Sequence, residues 1–241
     1  MQLLNGLLLA SSAAAFVAPA PAACSTAARA APVSDLNGWV ADPSAFCFGL
    51  PGTLAPVGDF DPLGLTEGRS LEAIKKFREA ELQHGRVAML ASVGLLVTEE
   101  PIEFHPFFEA YNHDIGPAIR HLDEVRAIAP TFLEGLVFAF AFAELNRATI
   151  GWNAPAGKTD EAYTLRADYY PGDIGFDPLG LKPDTAEKFE KMHTKELQNG
   201  RLAMIGAAGM VAQELVNGKE IFVNLGVATN QFDPNTLPII F

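Results

Sequence analysis

Polar and apolar positions along the 241-residue chain sort into three long helix-compatible segments and three connectors. The first segment, Leu71–Thr98, opens with charged residues and then enters an uncharged, largely apolar run, Val87–Val97. The second, Ala127–Ile150, has Glu134, Glu144 and Arg147 as its only charges. The third, Thr185–Val216, again begins charged and ends apolar, and Asn217-Gly218 supplies a helix stop signal. These patterns predict helices over about 71–98, 127–150 and 185–216. Ser34–Leu65 is rich in Gly and Pro, with aromatics at Trp39, Phe46, Phe48 and Phe60, and reads as an extended arm on the surface. Glu99–Ala129 reads as an irregular connector holding His105, His113 and His121, and Gly151–Leu181 as a loop.

The chain is 49% hydrophobic, with a mean hydropathy of +0.15, somewhat rich for a soluble domain. Val87–Val97 falls short of the roughly 20 residues that span a bilayer. A span would therefore include part of the charged segment before it, where charges are costly unless paired or used as ligands. Lys75, Lys76 and Arg78 precede the first apolar run, and Lys188, Lys191 and Lys195 precede the third. Both helices then start on the same side, and the second runs back between them. The expected fold is an all-α membrane protein with three transmembrane helices.

One stretch occurs twice. Glu81-Leu82-Gln83-His84-Gly85-Arg86-Val87-Ala88-Met89-Leu90 is matched by Glu196-Leu197-Gln198-Asn199-Gly200-Arg201-Leu202-Ala203-Met204-Ile205. Each copy follows the hexapeptide Phe-Asp-Pro-Leu-Gly-Leu, at Phe60–Leu65 and Phe176–Leu181. Two matched blocks in one order indicate an internal duplication. Within a helix Glu81 and His84 share a face, whereas Glu81 and Arg86 lie about 140° apart and cannot easily pair. If the two helices cross face to face as a pseudo-two-fold pair, Glu81 can meet Arg201 and Glu196 can meet Arg86. Gly85, Gly200, Ala88 and Ala203 permit the close approach. Glu144 and Arg147 can pair within the second helix.

Residues 1–32 read as a targeting presequence and 33–241 as the mature domain. Leu3–Ala15 is a short apolar run, and Ala15-Phe16-Val17-Ala18-Pro19 opens an Ala/Ser/Thr-rich stretch with Arg29 and no acid before Asp35. This suits a bipartite presequence; a plain secretory signal is the alternative. Cys24 and Cys47 have no metal spacing, and the net charge of −12 argues against a nucleic-acid partner.

The repeated Glu, His/Asn and Arg have a purely structural reading, as ion pairs and hydrogen bonds locking a helix crossing. They also have a ligand reading. Mg²⁺ takes oxygen and nitrogen donors. A magnesium held in a macrocycle needs one axial ligand, which a charge-compensated Glu, a His, an Asn or a Gln can supply. Glu-x-x-His is also a di-iron signature in helical bundles, but the second copy reads Glu196-x-x-Asn199 and each copy carries an Arg, so a membrane di-iron carboxylate oxidase is a remote alternative.

The two copies of Glu-x-x-(His/Asn)-Gly-Arg-x-Ala-Met, each after Phe-Asp-Pro-Leu-Gly-Leu, resemble the light-harvesting chlorophyll-binding family over roughly Phe46 to Gly218. The presequence and the Glu-Leu-Gln-His-Gly-Arg wording are most similar to fucoxanthin chlorophyll a/c-type antenna proteins of red-lineage secondary plastids. The resemblance implies no enzyme activity. It implies a multi-pass protein of the plastid thylakoid membrane that binds chlorophyll a, chlorophyll c and carotenoids (fucoxanthin, diadinoxanthin or similar xanthophylls). Excitation energy would pass to a photosystem core, photosystem I favoured over photosystem II, in contact with neighbouring antenna subunits. Phe48–Gly52 and Asp168–Asp173 are similar to photosystem I-associated members. A photoprotective, energy-dissipating role is the alternative, with Glu99, Glu100, Glu103 and Glu109 as candidate sensors or simply solvated loop acids. Axial ligands to chlorophyll magnesium would be Glu81, His84, Glu144, Glu196, Asn199 and Gln213. Arg86, Arg147 and Arg201 would complete the ion pairs, and Glu134 is a further candidate, although the usual middle-helix position holds Leu136. Phe60, Asp61, Pro62 and Leu63, with Phe176, Asp177, Pro178 and Leu179, match loops that hold carotenoid end groups. A His found in plant-type members is replaced here by Ala228.

Overall fold

The structure is a computed structural model that describes residues 36–99, 102, 104, 116–153 and 163–228. Residues 1–32, expected to be a presequence, and His105, His113, Glu100, Glu103 and Glu109 lie outside them. The regular structure among the described residues is helical, with isolated bridges but no strand: α1 Leu71–Thr98, α2 His121–Ile128, α3 Pro130–Gly151, α4 Ala186–Asn217 and α5 Ile221–Asn224. Ser70 caps α1 by accepting from the Ala73 N–H, and Gly218 ends α4 in the left-handed region at φ 61°.

The long helices α1 and α4 cross at their repeated cores. A Cβ on Gly85 would stand 3.0 Å from Gly200 Cα, and one on Gly200 would stand 2.9 Å from Gly85 Cα. Backbones this close exclude any side chain at the crossing point. Ser92 Oγ adds a hydrogen bond to the Ala203 carbonyl across the pair at 3.3 Å.

Two expectations are corrected. The middle helix starts at Pro130, not Ala127, and the connector before it is partly helical. Proline lacks the N–H that a helix interior needs and disfavours helical backbone in the residue before it. Ala129 accordingly sits at φ −144°, ψ 77°, and residues 118–128 meet α3 with a bend of 113°. The N-terminal arm is also not merely a surface strap. Leu36 and Leu50 are buried with Ile74 and Tyr170, and Trp39, Cys47, Phe48 and Phe189 pack around them. The arm turns through Cys47 and Phe48, both at positive φ, to reach that core.

Among the described residues no single helix is long and apolar enough by itself to cross a membrane; residues 118–128 and α3 pass that test only together. The charged first halves of α1 and α4, and Glu134, Glu144 and Arg147 on α3, are the reason. The apolar halves nevertheless turn outward: Leu90, Val93, Leu202 and Ile205 are exposed, as are Phe138, Phe140, Phe142 and Leu145 on α3. So much exposed apolar surface calls for an apolar surround.

Candidate functional site

The two reciprocal ion pairs form as their spacing requires. Arg86 Nε donates to Glu196 Oε1 at 2.7 Å, and Arg201 Nε donates to Glu81 Oε1 at 2.7 Å. Their side chains are about a third exposed, between 29% and 37%, so these pairs are not fully buried within the protein chain. Each arginine has a second partner that the sequence did not announce: Arg86 Nη2 donates to the Gly172 carbonyl at 2.9 Å and Arg201 Nη1 to the Gly52 carbonyl at 2.8 Å. Gly52 and Gly172 have φ of +130° and +86°, and a Cβ there would strike Leu197 at 2.3 Å and Leu82 at 2.6 Å. The signal was present. Pro51-Gly52 and Pro171-Gly172 repeat upstream of the hexapeptides, but residues 53–59 separate the first from its hexapeptide and only 173–175 the second. That unequal spacing hid the match.

His84 and Asn199 occupy equivalent places and do equivalent things. His84 Nδ1 lies 2.7 Å from the Ala80 carbonyl, and Asn199 Nδ2 donates to the Lys195 carbonyl at 2.9 Å. A carbonyl accepts only, so Nδ1 is the donor, and in the neutral imidazole Nε2 keeps its lone pair. The Asn199 amide group is likewise fixed with Oδ1 turned away. Each side chain is exposed and offers one fixed donor atom, a nitrogen in one copy and an oxygen in the other. His84 borders a cavity of about 470 Å³ with Gln83, Val87, Ala88, Glu144 and Met204.

The expected Glu144–Arg147 pair is present, with Arg147 Nη2 donating to Glu144 Oε2 at 2.8 Å. It is part of a larger knot. Arg147 Nη1 donates to Glu79 Oε1 at 2.8 Å, and Glu79 Oε2 accepts from Tyr169 Oη at 3.0 Å and the Gly172 N–H at 2.7 Å. Gln83 Nε2 donates to Glu144 Oε1 at 2.8 Å. Glu79 therefore ties α3 and the 169–172 loop to α1. Burial, then the neighbouring Glu79, hold the Tyr169 hydroxyl protonated well above the usual phenol range. Sequence reasoning passed over Glu79 because Thr194 stands at its place in the second copy.

Gln213 lies half-buried on α4, its Nε2 without a hydrogen-bond partner among the described residues. Glu134 is exposed on α3, and Ala228 lies beyond α5. The hexapeptides form matched turns. Asp61 accepts from the N–H groups of Leu65 and Thr66 at 3.0 and 2.8 Å, and Asp177 from those of Leu181 and Lys182 at 2.9 and 2.8 Å. Those hydrogen bonds, with the Thr66 hydroxyl leading at Asp61, keep both carboxyls below their ordinary range. Each Asp is thus spent on its own turn, while Phe60, Leu63, Phe176 and Leu179 are exposed and Pro62 and Pro178 shape the corner. A cavity of about 420 Å³ lies against the second turn, bordered by Phe176, Asp177, Phe189, His193, Glu196 and Arg86.

At the other ends of the crossing helices Glu99 and Glu214 are 2% and 1% exposed. Glu99 Oε2 accepts from the Ile221 N–H and Glu214 Oε2 from the Ile119 N–H, each at 2.8 Å. Burial first, then the Glu214 carboxyl, push Glu99 up to about 7. Glu99 is therefore not a solvated loop acid, as one reading of the sequence had it.

His84 and Asn199 fit magnesium held in a macrocycle: each offers a single outward N or O atom, with its other polar atom already satisfied, on a helix flanked by exposed apolar surface. They do not fit a di-iron centre, since among the described residues no group of three or more His, Cys, Asp or Glu converges on one point.

Residues 46–215 match the family described as chlorophyll A-B binding protein. The chain is 46% identical over 187 residues to light-harvesting complex stress-related protein 3.2, chloroplastic, of Chlamydomonas reinhardtii, covering 77% of this chain and 70% of that one. It is also 46% identical over 177 residues to the fucoxanthin-chlorophyll a-c binding protein of Isochrysis galbana, covering 72% and 79%. Chlorophyll a-b binding protein 4 of Arabidopsis thaliana is 35% identical over 181 residues, covering 73% and 67%.

Proposed function

This chain belongs to the chlorophyll A-B binding protein family, and we propose that it is a plastid antenna protein whose α1, α3 and α4 cross the thylakoid membrane. Glu81, His84, Glu144, Glu196, Asn199 and Gln213 then serve as axial ligands. The observation that carries this reading is the matched treatment of His84 and Asn199. Each ties its second polar atom to the carbonyl four residues earlier and leaves one donor atom pointing outward.

Chlorophyll bound there supplies light absorption and excitation transfer. The protein's part is positional. The reciprocal Arg–Glu pairs fix the angle between α1 and α4, the Gly52 and Gly172 carbonyls hold each arginine, and the Asp61 and Asp177 turns present apolar side chains to carotenoid end groups. Similarity to the fucoxanthin-chlorophyll a-c protein supports chlorophyll c and xanthophylls as pigments. Photosystem I, by the loop wording at Phe48–Gly52 and Asp168–Asp173, is the acceptor we favour.

The test is chlorophyll per polypeptide in reconstituted protein. His84→Leu keeps apolar volume and helix propensity, and is expected to lose pigment while folding. His84→Asn, copying the second repeat, is expected to be much milder. Full pigment and an unchanged spectrum in His84→Leu would reject the ligand assignment. A second reading, energy dissipation, is favoured by the 46% identity to stress-related proteins and by the buried Glu99–Glu214 carboxyl pair. Excited-state lifetimes at pH 5 and pH 7.5 separate the two: a lifetime that shortens on acidification supports dissipation.

A further inference from the structure

The duplication breaks its own symmetry at the position three residues before each ligand glutamate. In the first copy that position is Arg78, in the second His193. Arg78 is 6% exposed, and its Nε lies 3.4 Å from Glu81 Oε2 while its Nη1 donates to the Pro51 carbonyl. Glu81 therefore has a guanidinium at each carboxylate oxygen, Arg201 on Oε1 and Arg78 on Oε2. Among the described residues Glu196 has one, Arg86 on Oε1. His193 is 5% exposed, stacks on Phe189 at 5.9 Å and meets Tyr170 edge-on at 5.4 Å, and its Nε2 has no hydrogen-bond partner among the described residues.

We propose that Arg78 and His193 make the two Glu–Arg magnesium sites electrostatically unequal, so that the pigment on Glu81 and the pigment on Glu196 absorb at different wavelengths. This rests on the reading of both glutamates as ligands. A guanidinium does not lose its proton in a protein. The first site therefore sums one carboxylate and two permanent cations to a net positive charge, and the second sums one carboxylate and one cation to none. A carboxylate with both oxygens held by cations also has less electron density to share with a metal. In the low-dielectric interior that a membrane and pigments provide, a charge this close is poorly screened. The positive charge at the first site then acts on the optical transition of any pigment bound there, and the second site lacks it. Arg78 and His193 touch no magnesium in this scheme. They are positioning residues that act through their neighbouring glutamates.

The experiment uses full-length mature chains reconstituted with chlorophyll a and total xanthophylls. Glu81→Leu and Glu196→Leu, each subtracted from wild type at low temperature, assign one absorption band to each site. Arg78→Gln keeps a donor for the Pro51 carbonyl and removes the charge, and Arg78→Lys keeps the charge. The expected result is a shift of the Glu81 band in Arg78→Gln, little shift in Arg78→Lys, unchanged chlorophyll per polypeptide in both, and an unmoved Glu196 band. An assembled Arg78→Gln protein with both bands in place overturns the proposal. If Arg78→Gln does not assemble, the wild-type bands and His193→Lys decide. Separate bands that move together when the cation is added beside Glu196 uphold it, and coincident bands or an unmoved Glu196 band overturn it. Retention of all chlorophyll in both glutamate variants is a different outcome, which rejects the ligand reading itself.

Discussion

The two halves of the duplication share a frame and differ in what they tie down. In both, an arginine reaches across to the other half's glutamate and a Pro-Gly carbonyl steadies it. In both, an aspartate closes the hexapeptide turn, and a glutamate near the helix end holds a backbone N–H of a neighbouring segment. Only the first half carries Glu79 and Arg78. Through them α1 gathers α3, the 169–172 loop and the N-terminal arm. At the same places α4 has Thr194 and His193. The first half is therefore the hub of the fold, and the second is its partner at the crossing. Duplication supplied a symmetric clamp, and substitution at two adjacent positions assigned the unique third helix to one side.

The comparison breaks first at Glu79. Glu79→Ala leaves the Tyr169 hydroxyl, the Gly172 N–H and one arm of Arg147 without their acceptor, and we expect a loss of about 3–5 kcal/mol, as for removal of one partner of a buried pair. Thr194→Ala, its counterpart, should be close to neutral. Urea or thermal unfolding of the two variants measures this, and equal losses would refute the hub assignment. Gly85→Val and Gly200→Val attack the shared frame, where a Cβ meets backbone at 3.0 and 2.9 Å. Both should cost at least the roughly 1–3 kcal/mol of overpacking and should do so equally. Gly94→Ala, which meets nothing within 4 Å, is the control.

Arg86→Leu and Arg201→Leu sharpen the comparison. Their pairs are about a third exposed, so each loss should fall near 1–3 kcal/mol, between the exposed and buried limits. The swap Arg86→Glu with Glu196→Arg should restore assembly better than either single change, once loss of the proposed ligand Glu196 is controlled for. Yield of assembled complex is the readout.

The smallest effect is expected at Glu99. Its folded value, about 7, is raised above the unfolded carboxyl range. Its favourable contribution is therefore fully present below the unfolded value, near 4.5, and is lost as pH rises through about 7. Unfolding stability, measured in urea between pH 5 and pH 8, should fall with rising pH, and Glu99→Gln should flatten that profile. A profile that rises with pH would contradict the assignment.

The sequence by itself determined the duplication, the extents of the first and third helices, and the reciprocal Glu–Arg pairing. It could do so because a helix places residues five apart on different faces, so Glu81 and Arg86 had to find partners elsewhere. The tertiary structure decided what depends on distant segments meeting. Leu36 and Leu50 of the arm enter the core only because Ile74 and Tyr170 leave room for them. Glu79 becomes a hub only because Arg147, Tyr169 and Gly172 arrive from other parts of the chain. Glu99 and Glu214 stand in the same register as the repeated cores, yet their burial appears only when α5 and the 118–120 turn close over them. Periodicity is a local property and survives in one dimension; burial and long-range hydrogen bonds exist only once the chain has folded back on itself.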